Sequence, residues 1–346
     1  MDSAVRLEMY RMMRLIRTYE EAILREYHAD KKPSFDIAKG QIPGEMHLST
    51  GQEPVPAGFY PHLRRDDAVT GPHRPHGWAL AKDVDINRMT AEIFGRIDGL
   101  GRGRGGHMHL FDEETHFSCS GIIAEGLPTA VGMGMAFKRE GTGRVAFAVC
   151  GEGAANQGAF HESLNLAALW KLPVVFVIED NGWGVSVSKS QSTCVASNAD
   201  RAAGYGMPGV LVKDNEVEAV YAAAGEAIAR ARAGEGPTLI EVETLRLWGH
   251  FEGDPQIYRP DLSDVPSHDP IPAYERQLRD ARVLTDDIAE ETSRWAEDRV
   301  ERAILVSPAG SLHNRSPRRR RSPILRRRST TSSSRPPRYR SQEVNP

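Results

Sequence analysis

Near the N-terminus, apolar side chains recur at steps of three and four: Val5, Met9, Met12, Ile16, Tyr19, Ile23 and Tyr27. That spacing keeps them on one side of a 3.6-residue turn and predicts an amphipathic helix over residues 3–28. Its Met and Tyr stripe reads as core or subunit contact rather than a cofactor box. Residues 31–74 are rich in Gly, Pro and His, with few periodic stretches. "NRMTAEIFGRIDGL", residues 87–100, then predicts a short helix.

The centre of the chain alternates. Residues 144–150 form a continuous apolar run, which suits a strand buried on both faces. Residues 157–170 are helical in pattern, with Phe160, Leu164, Ala167 and Ala168 on one side. A second buried strand follows at 173–178, a short third at 209–213, an alanine-rich helix at 216–233 and a further strand at 237–245. Strand and helix in alternation predict an α/β fold, a mostly parallel sheet with helices on both faces. Helical patterns return at 271–284 and 286–304.

At Ser307 the pattern stops. The last 40 of the 346 residues hold 11 Arg and one acidic residue, Glu343, in Ser/Pro-rich low complexity. They have almost nothing to bury, so disorder is expected there. The chain therefore divides into a domain, residues 1–306, and a basic tail, residues 307–346. The domain alone carries 33 basic against 46 acidic residues, so the net charge of −3 averages two different objects. The tail admits two other readings, a nucleic-acid or partner-binding segment and a C-terminus altered by a shifted reading frame. Nucleic-acid binding ranks below the enzymatic reading developed next.

Three cysteines, Cys119, Cys150 and Cys194, match no metal or redox spacing. The N-terminal apolar pattern is broken by charges, unlike a signal peptide, and no run approaches ~18 apolar residues. A reduced, cytoplasmic chain is the expectation.

The chemistry centres on "FAVCGEGAANQG", residues 147–158. A buried strand runs into a glycine-rich turn and then a helical pattern, as at many phosphate sites, yet the turn carries Glu152 and no Lys. Asn181 ends the next predicted strand, 29 positions on. The intervening helix of roughly 14–16 residues covers ~21–24 Å, enough to return the chain to an adjacent parallel strand. Both oxygen-bearing side chains thus arrive at the carboxyl edge of the sheet, where α/β proteins hold ligands. The helix that follows Glu152 points its free N–H groups at the same edge. A carboxylate beside an amide oxygen suits magnesium, which then bridges to phosphate oxygens. The plainer alternative, ordinary turn and cap residues, stays open on spacing alone.

The stretch "GEGAANQGAFHESLNLAALWKLPVVFVIEDNGWG" resembles the thiamine diphosphate motif, and the likeness extends from about Met9 to Ile304. It includes "HLSTGQEPVPAG", "GPHRPHGWALA", "GRGRGGHMHLFD", "SGIIAEGLPTAVGMGMAFK" and "RLWGHFEGDPQIYRP". The chain is similar to the alpha subunit of the first component of 2-oxo acid and acetoin dehydrogenase complexes. The resemblance implies a thiamine diphosphate-binding fold and a magnesium ion held by Glu152, Asn181 and the main-chain oxygen of Trp183. It implies backbone N–H groups of Gly153 and Ala154 on the diphosphate, with Arg74 and His73 beside them. Gly121 and Ile123 would meet the aminopyrimidine ring through their main chain. His250 would stand near the diphosphate and the reacting centre, and His47 near the substrate.

Glu152 stands where many members have Asp, Trp183 and His73 where Tyr is common, and Asp180 replaces the first of two Asn. The resemblance further implies a beta subunit that completes the active site in a heterotetramer of two alpha and two beta chains, and a lipoyl-bearing acyltransferase partner. It favours acetoin as substrate, with pyruvate or a branched-chain 2-oxo acid as the runner-up. Two motifs are set aside. "GRGRGG", residues 101–106, fits G-x-G-x-x-G but follows a helical pattern rather than a strand. "HMH", residues 107–109, has no further ligand cluster to complete a zinc site.

Overall fold

A computed structural model describes residues 1–29, 31, 36–260 and 262–306. The basic tail lies outside the described residues. Helix α1 (Ser3–His28) begins at Asp2, whose side chain accepts from the N–H of Ala4. Its predicted stripe is buried from Met9 to Tyr27, and Val5 is half-buried. Then come α2 (Pro54–Phe59), β1 (Ala68–Gly71), α3 (His76–Ala81) and α4 (Ile86–Ile93). Next are β2 (Phe111–Asp112), β3 (Phe117–Cys119), α5 (Gly126–Glu140), β4 (Ala146–Gly151), α6 (Gly158–Leu169) and β5 (Val174–Asp180). A small hairpin, β6 (Trp183–Gly184) and β7 (Val187–Ser188), leads through α7 (Lys189–Ser192) to β8 (Gly209–Val212). The described chain closes with α8 (Val217–Arg232), β9 (Thr238–Glu243), α9 (Pro270–Asp280) and α10 (Asp286–Val306).

The main sheet has the order β2-β3-β1-β4-β5-β9-β8, parallel throughout except for the β2–β3 pair. Alternate residues of each strand feed two separate cores. Phe147 and Val149 of β4 pack with α1, α2 and α8. Ala146, Ala148 and Cys150 pack with α5 and α6 on the opposite face. The predicted two-faced parallel sheet is therefore the observed one.

Three details differ from the pattern reading. The aperiodic stretch before Arg74 contains β1, only four residues long, yet β1 lies between β3 and β4 at the middle of the sheet. Burial on both faces leaves no alternation to detect. Helix α4 stops at Ile93, because Gly95 takes a positive φ and the chain turns away. The helix expected over 157–170 is α6, Gly158–Leu169, but a 3-10 turn, Glu152–Asn156, precedes it at the sheet edge. The N–H groups at the sheet edge thus belong to that tighter turn, not to the first turn of α6. From β1 the chain goes to β3 on one side and then to β4 on the other. This reversal opens a crevice above the carboxyl ends of β1 and β4, the expected location of a ligand.

Candidate functional site

All the residues singled out from the sequence line one cleft of about 630 Å³ in that crevice: His47, His73, Arg74, Gly121, Ile123, Glu152, Gly153, Ala154, Asn181, Trp183 and His250. Strand ends place most of them. His73 and Arg74 follow β1, Gly121 follows β3, Glu152 follows β4 and Asn181 follows β5. His250 arrives on the loop after β9, and Trp183 in the β6–β7 hairpin. Parallel registry of β4 with β5, Gly151 opposite Glu179, sets Glu152 and Asn181 side by side. The Asn181 N–H donates to Glu152 Oε2 at 3.2 Å.

Two oxygens here are under-satisfied. Glu152 is 2 % exposed, and its carboxyl is pushed up to about 7, first by burial and then by the neighbouring Asp180. Asn181 Oδ1 is buried with no hydrogen-bond partner. A buried acceptor without a donor beside a carboxylate that resists ionisation is a donor set that a bound cation would satisfy.

On the opposite wall the charge has the other sign. Arg74 is 3 % exposed and pairs with no carboxylate among the described residues. Its Nη1 donates to the Leu48 carbonyl at 2.7 Å and its Nη2 to the His250 carbonyl at 2.6 Å, while Nε has no partner. Burial, reinforced by Arg246, pushes its pKa down to about 9, so it stays a cation at neutral pH. Arg246 is likewise buried, with Nε and Nη1 unpartnered. A buried guanidinium, Arg74, lining the same cleft as these two oxygens fits an anion bridged to a metal ion.

His47, His73 and His250 each offer a ring nitrogen within 4.8 Å of the others. That spacing could hold a transition metal, but Arg74 Nη2 lies 3.3 Å from His250 Nδ1, and a second cation there is opposed. Burial depresses all three imidazoles, His250 to about 3, so all are neutral at pH 7. The mouth of the cleft is apolar: Ile122, Ile123, Val185 and Val187 are exposed.

The loops carrying these residues are tied from behind. Lys189 donates from Nζ to Asp180 and, at 2.9 Å, to Glu241, and its N–H donates to the Gly182 carbonyl at 2.8 Å. Arg201 donates to the Ala155 carbonyl and to Asn156 Oδ1, and Asn156 Nδ2 reaches Ser192 and Thr193. The 3-10 turn after Glu152 and the loop after Asn181 are thereby stitched together.

The set-aside motifs also find their places. The glycine-rich loop does bind an anion, but an internal one. The N–H groups of Gly101, Gly103 and Gly105 donate to the Glu92 carboxylate at 2.7, 2.8 and 2.6 Å. In "HMH", His109 is exposed whereas His107 is buried against His47, so the pair forms no chelate. Sequence reasoning missed Glu92, Lys189, Arg246 and His107. Strand alternation could not have found His107, since residues two apart in an extended segment share a face, whereas His107 is buried and His109 exposed.

The dehydrogenase E1 component family model matches residues 10–314. The chain is 41% identical over 313 residues to the alpha subunit of acetoin:2,6-dichlorophenolindophenol oxidoreductase of Cupriavidus necator, covering 89% of this chain and 91% of that one. The Bacillus subtilis protein of the same description is 40% identical, covering 87% and 88%. The pyruvate dehydrogenase E1 component subunit alpha of Rhizobium meliloti is 37% identical, covering 85% and 83%. With a family match spanning most of its length and a site built from the strand ends upward, this chain belongs to the dehydrogenase E1 component family, as an alpha subunit acting in oxidoreduction of oxo groups.

Proposed function

We propose that the cleft binds thiamine diphosphate with magnesium and that the chain cleaves acetoin, or a closely related small acyloin, together with a beta subunit. The observation that carries this reading is the buried Asn181 Oδ1, an acceptor lacking a donor, on the residue whose backbone N–H donates to Glu152. Glu152, Asn181 and the main-chain oxygen of Trp183 would hold the metal. Arg74, His73 and the N–H groups of Gly153 and Ala154 would hold the diphosphate, and Gly121 and Ile123 the aminopyrimidine through their main chain. The cofactor, when bound, supplies a carbanion and an electron sink that the protein lacks.

The chain's own residues bind and orient. Arg74 fixes His250 through two contacts, at its carbonyl and at Nδ1. His47 and His250, ring centroids 5.0 Å apart, would face the reacting carbonyl. Ile122, Ile123, Val185 and Val187 leave an apolar rim that a beta subunit would cover, excluding water. The two-carbon fragment of the substrate would leave on the lipoyl arm of an acyltransferase partner. Acetoin is favoured because both relatives at about 40% identity carry it in their names. Pyruvate is the second reading, supported by the relatives at 37%. No described helix is long and apolar enough to cross a membrane. The cytoplasmic assignment is part of this proposal and rests on the unpaired cysteines.

Calorimetry of thiamine diphosphate and magnesium binding to the alpha–beta complex tests the site. Glu152→Ala and Asn181→Ala should each weaken binding at least about tenfold. Unchanged affinity in both variants would defeat the metal assignment. Turnover of acetoin, pyruvate and a branched-chain 2-oxo acid, side by side, tests the substrate.

A further inference from the structure

His107 contacts His47 twice. The backbone N–H of His47 lies 3.1 Å from His107 Nε2, and the side-chain Nδ1 of His47 lies 3.2 Å from the same nitrogen. A backbone N–H can only donate, so His107 Nε2 carries no proton. Burial, then His76, holds the His107 imidazole neutral, which leaves its proton on Nδ1. The lone pair at Nε2 now faces His47 Nδ1. Two opposed lone pairs at this distance repel, so His47 must donate from Nδ1. Its other nitrogen, Nε2, is therefore the unprotonated one.

His250 receives the opposite instruction. Arg74 Nη2 lies 3.3 Å from His250 Nδ1, and a guanidinium has donors only. His250 Nδ1 accepts, and its single proton sits on Nε2. His47 and His250 both line the cleft, edge to face with centroids 5.0 Å apart.

We propose that His107 is a positioning residue that locks His47 as the Nδ1–H tautomer, so that the His47–His250 pair offers the cleft a lone pair, His47 Nε2, beside an N–H, His250 Nε2. This pairing selects an α-hydroxy ketone, and to that extent it rests on the function proposed above. The substrate hydroxyl donates to His47 Nε2, while the carbonyl oxygen accepts from His250 Nε2–H. A 2-oxo acid has no hydroxyl to give and leaves the His47 lone pair unanswered. Loss of a matched hydrogen bond of this kind discriminates between ligands more strongly than shape alone.

The test uses the full chain with 15N-labelled histidine, assigned by single substitutions at His47, His107 and His250. Long-range proton–nitrogen spectra distinguish the two neutral tautomers. His47 should show a protonated Nδ1 and His250 a protonated Nε2. His107→Gln keeps an acceptor oxygen and should preserve the His47 pattern; His107→Leu should turn it into a mixture. In the alpha–beta complex, His107→Leu should lower kcat/KM for acetoin about 10- to 100-fold. Its thiamine diphosphate affinity should not change, and His107→Gln should stay within about threefold of the parent. A His47 protonated on Nε2 in the parent chain overturns the proposal, as does equal behaviour of the Gln and Leu variants. If His107→Leu fails to fold, the parent spectrum and the Gln variant still decide. The assigned tautomers in a chain that binds no thiamine diphosphate would sink the functional reading and leave the tautomer assignment standing.

Discussion

Replacing Glu92 by Ala should unfasten the loop that carries His107. Glu92 is fully buried on α4, and its two oxygens accept three backbone N–H groups from Gly101, Gly103 and Gly105. Hydrogen bonds to a charged acceptor contribute about 1.5–3 kcal/mol each. Taking the low end, because these glycines are only half-buried and water can reach them, three bonds amount to about 4–5 kcal/mol. A domain's whole stability is about 5–15 kcal/mol, so the variant should sit close to its limit. The loop also packs closely on α4: an ideal Cβ on Gly99 would fall 2.5 Å from the Glu92 main chain. Urea unfolding should show the loss as a lower midpoint at unchanged slope. Hydrogen exchange should show residues 99–109 losing protection first. Glu92→Gln, which keeps one oxygen but turns an NH2 group toward N–H donors, should lose about half as much. A loss below about 1 kcal/mol in Glu92→Ala, with protection of the loop retained, would refute the claim that this carboxylate organises it.

Other consequences follow from the same structure. Lys189→Met leaves Asp180 and Glu241 as unpaired buried carboxylates and should cost about 3–5 kcal/mol, with faster proteolysis of residues 182–193; Lys189→Arg should recover most of it. Gly51 has φ +95° and an ideal Cβ only 2.5 Å from the Leu245 carbonyl oxygen, so Gly51→Ala should cost at least about 2 kcal/mol by thermal unfolding. The Glu152 carboxyl titrates near 7 when folded against 4.5 ordinarily, so its protonated form favours folding below 4.5 and that contribution fades as pH rises to about 7. Without magnesium and cofactor, stability should therefore fall by about 3 kcal/mol across that window, a slope that Glu152→Gln removes. Magnesium needs the ionised carboxylate, so metal affinity measured by calorimetry should weaken progressively below pH 7.

The sequence by itself determined the α/β alternation, the boundaries of α1, and the coming together of Glu152 with Asn181. Each rests on local periodicity or on the length of one helix between two parallel strands, and these are physical quantities written along the chain. Resemblance to a family supplied Arg74, His73, Gly121, Ile123 and the two cleft histidines, all of which the fold gathers into one crevice. Strand β1 was illegible, since four residues buried on both faces have no period to display. The tight 3-10 turn after Glu152 was hidden too, because glycine and alanine fit either helix type. Only the tertiary structure decided the long-range partners: Glu92 inside the glycine-rich loop, Lys189 between Asp180 and Glu241, and His107 behind His47. Which hydrogen a histidine carries depends on the donor or acceptor that packing sets against it. No pattern of neighbours in sequence contains that information, for the groups that fix His47 and His250 lie 60 and 176 residues away.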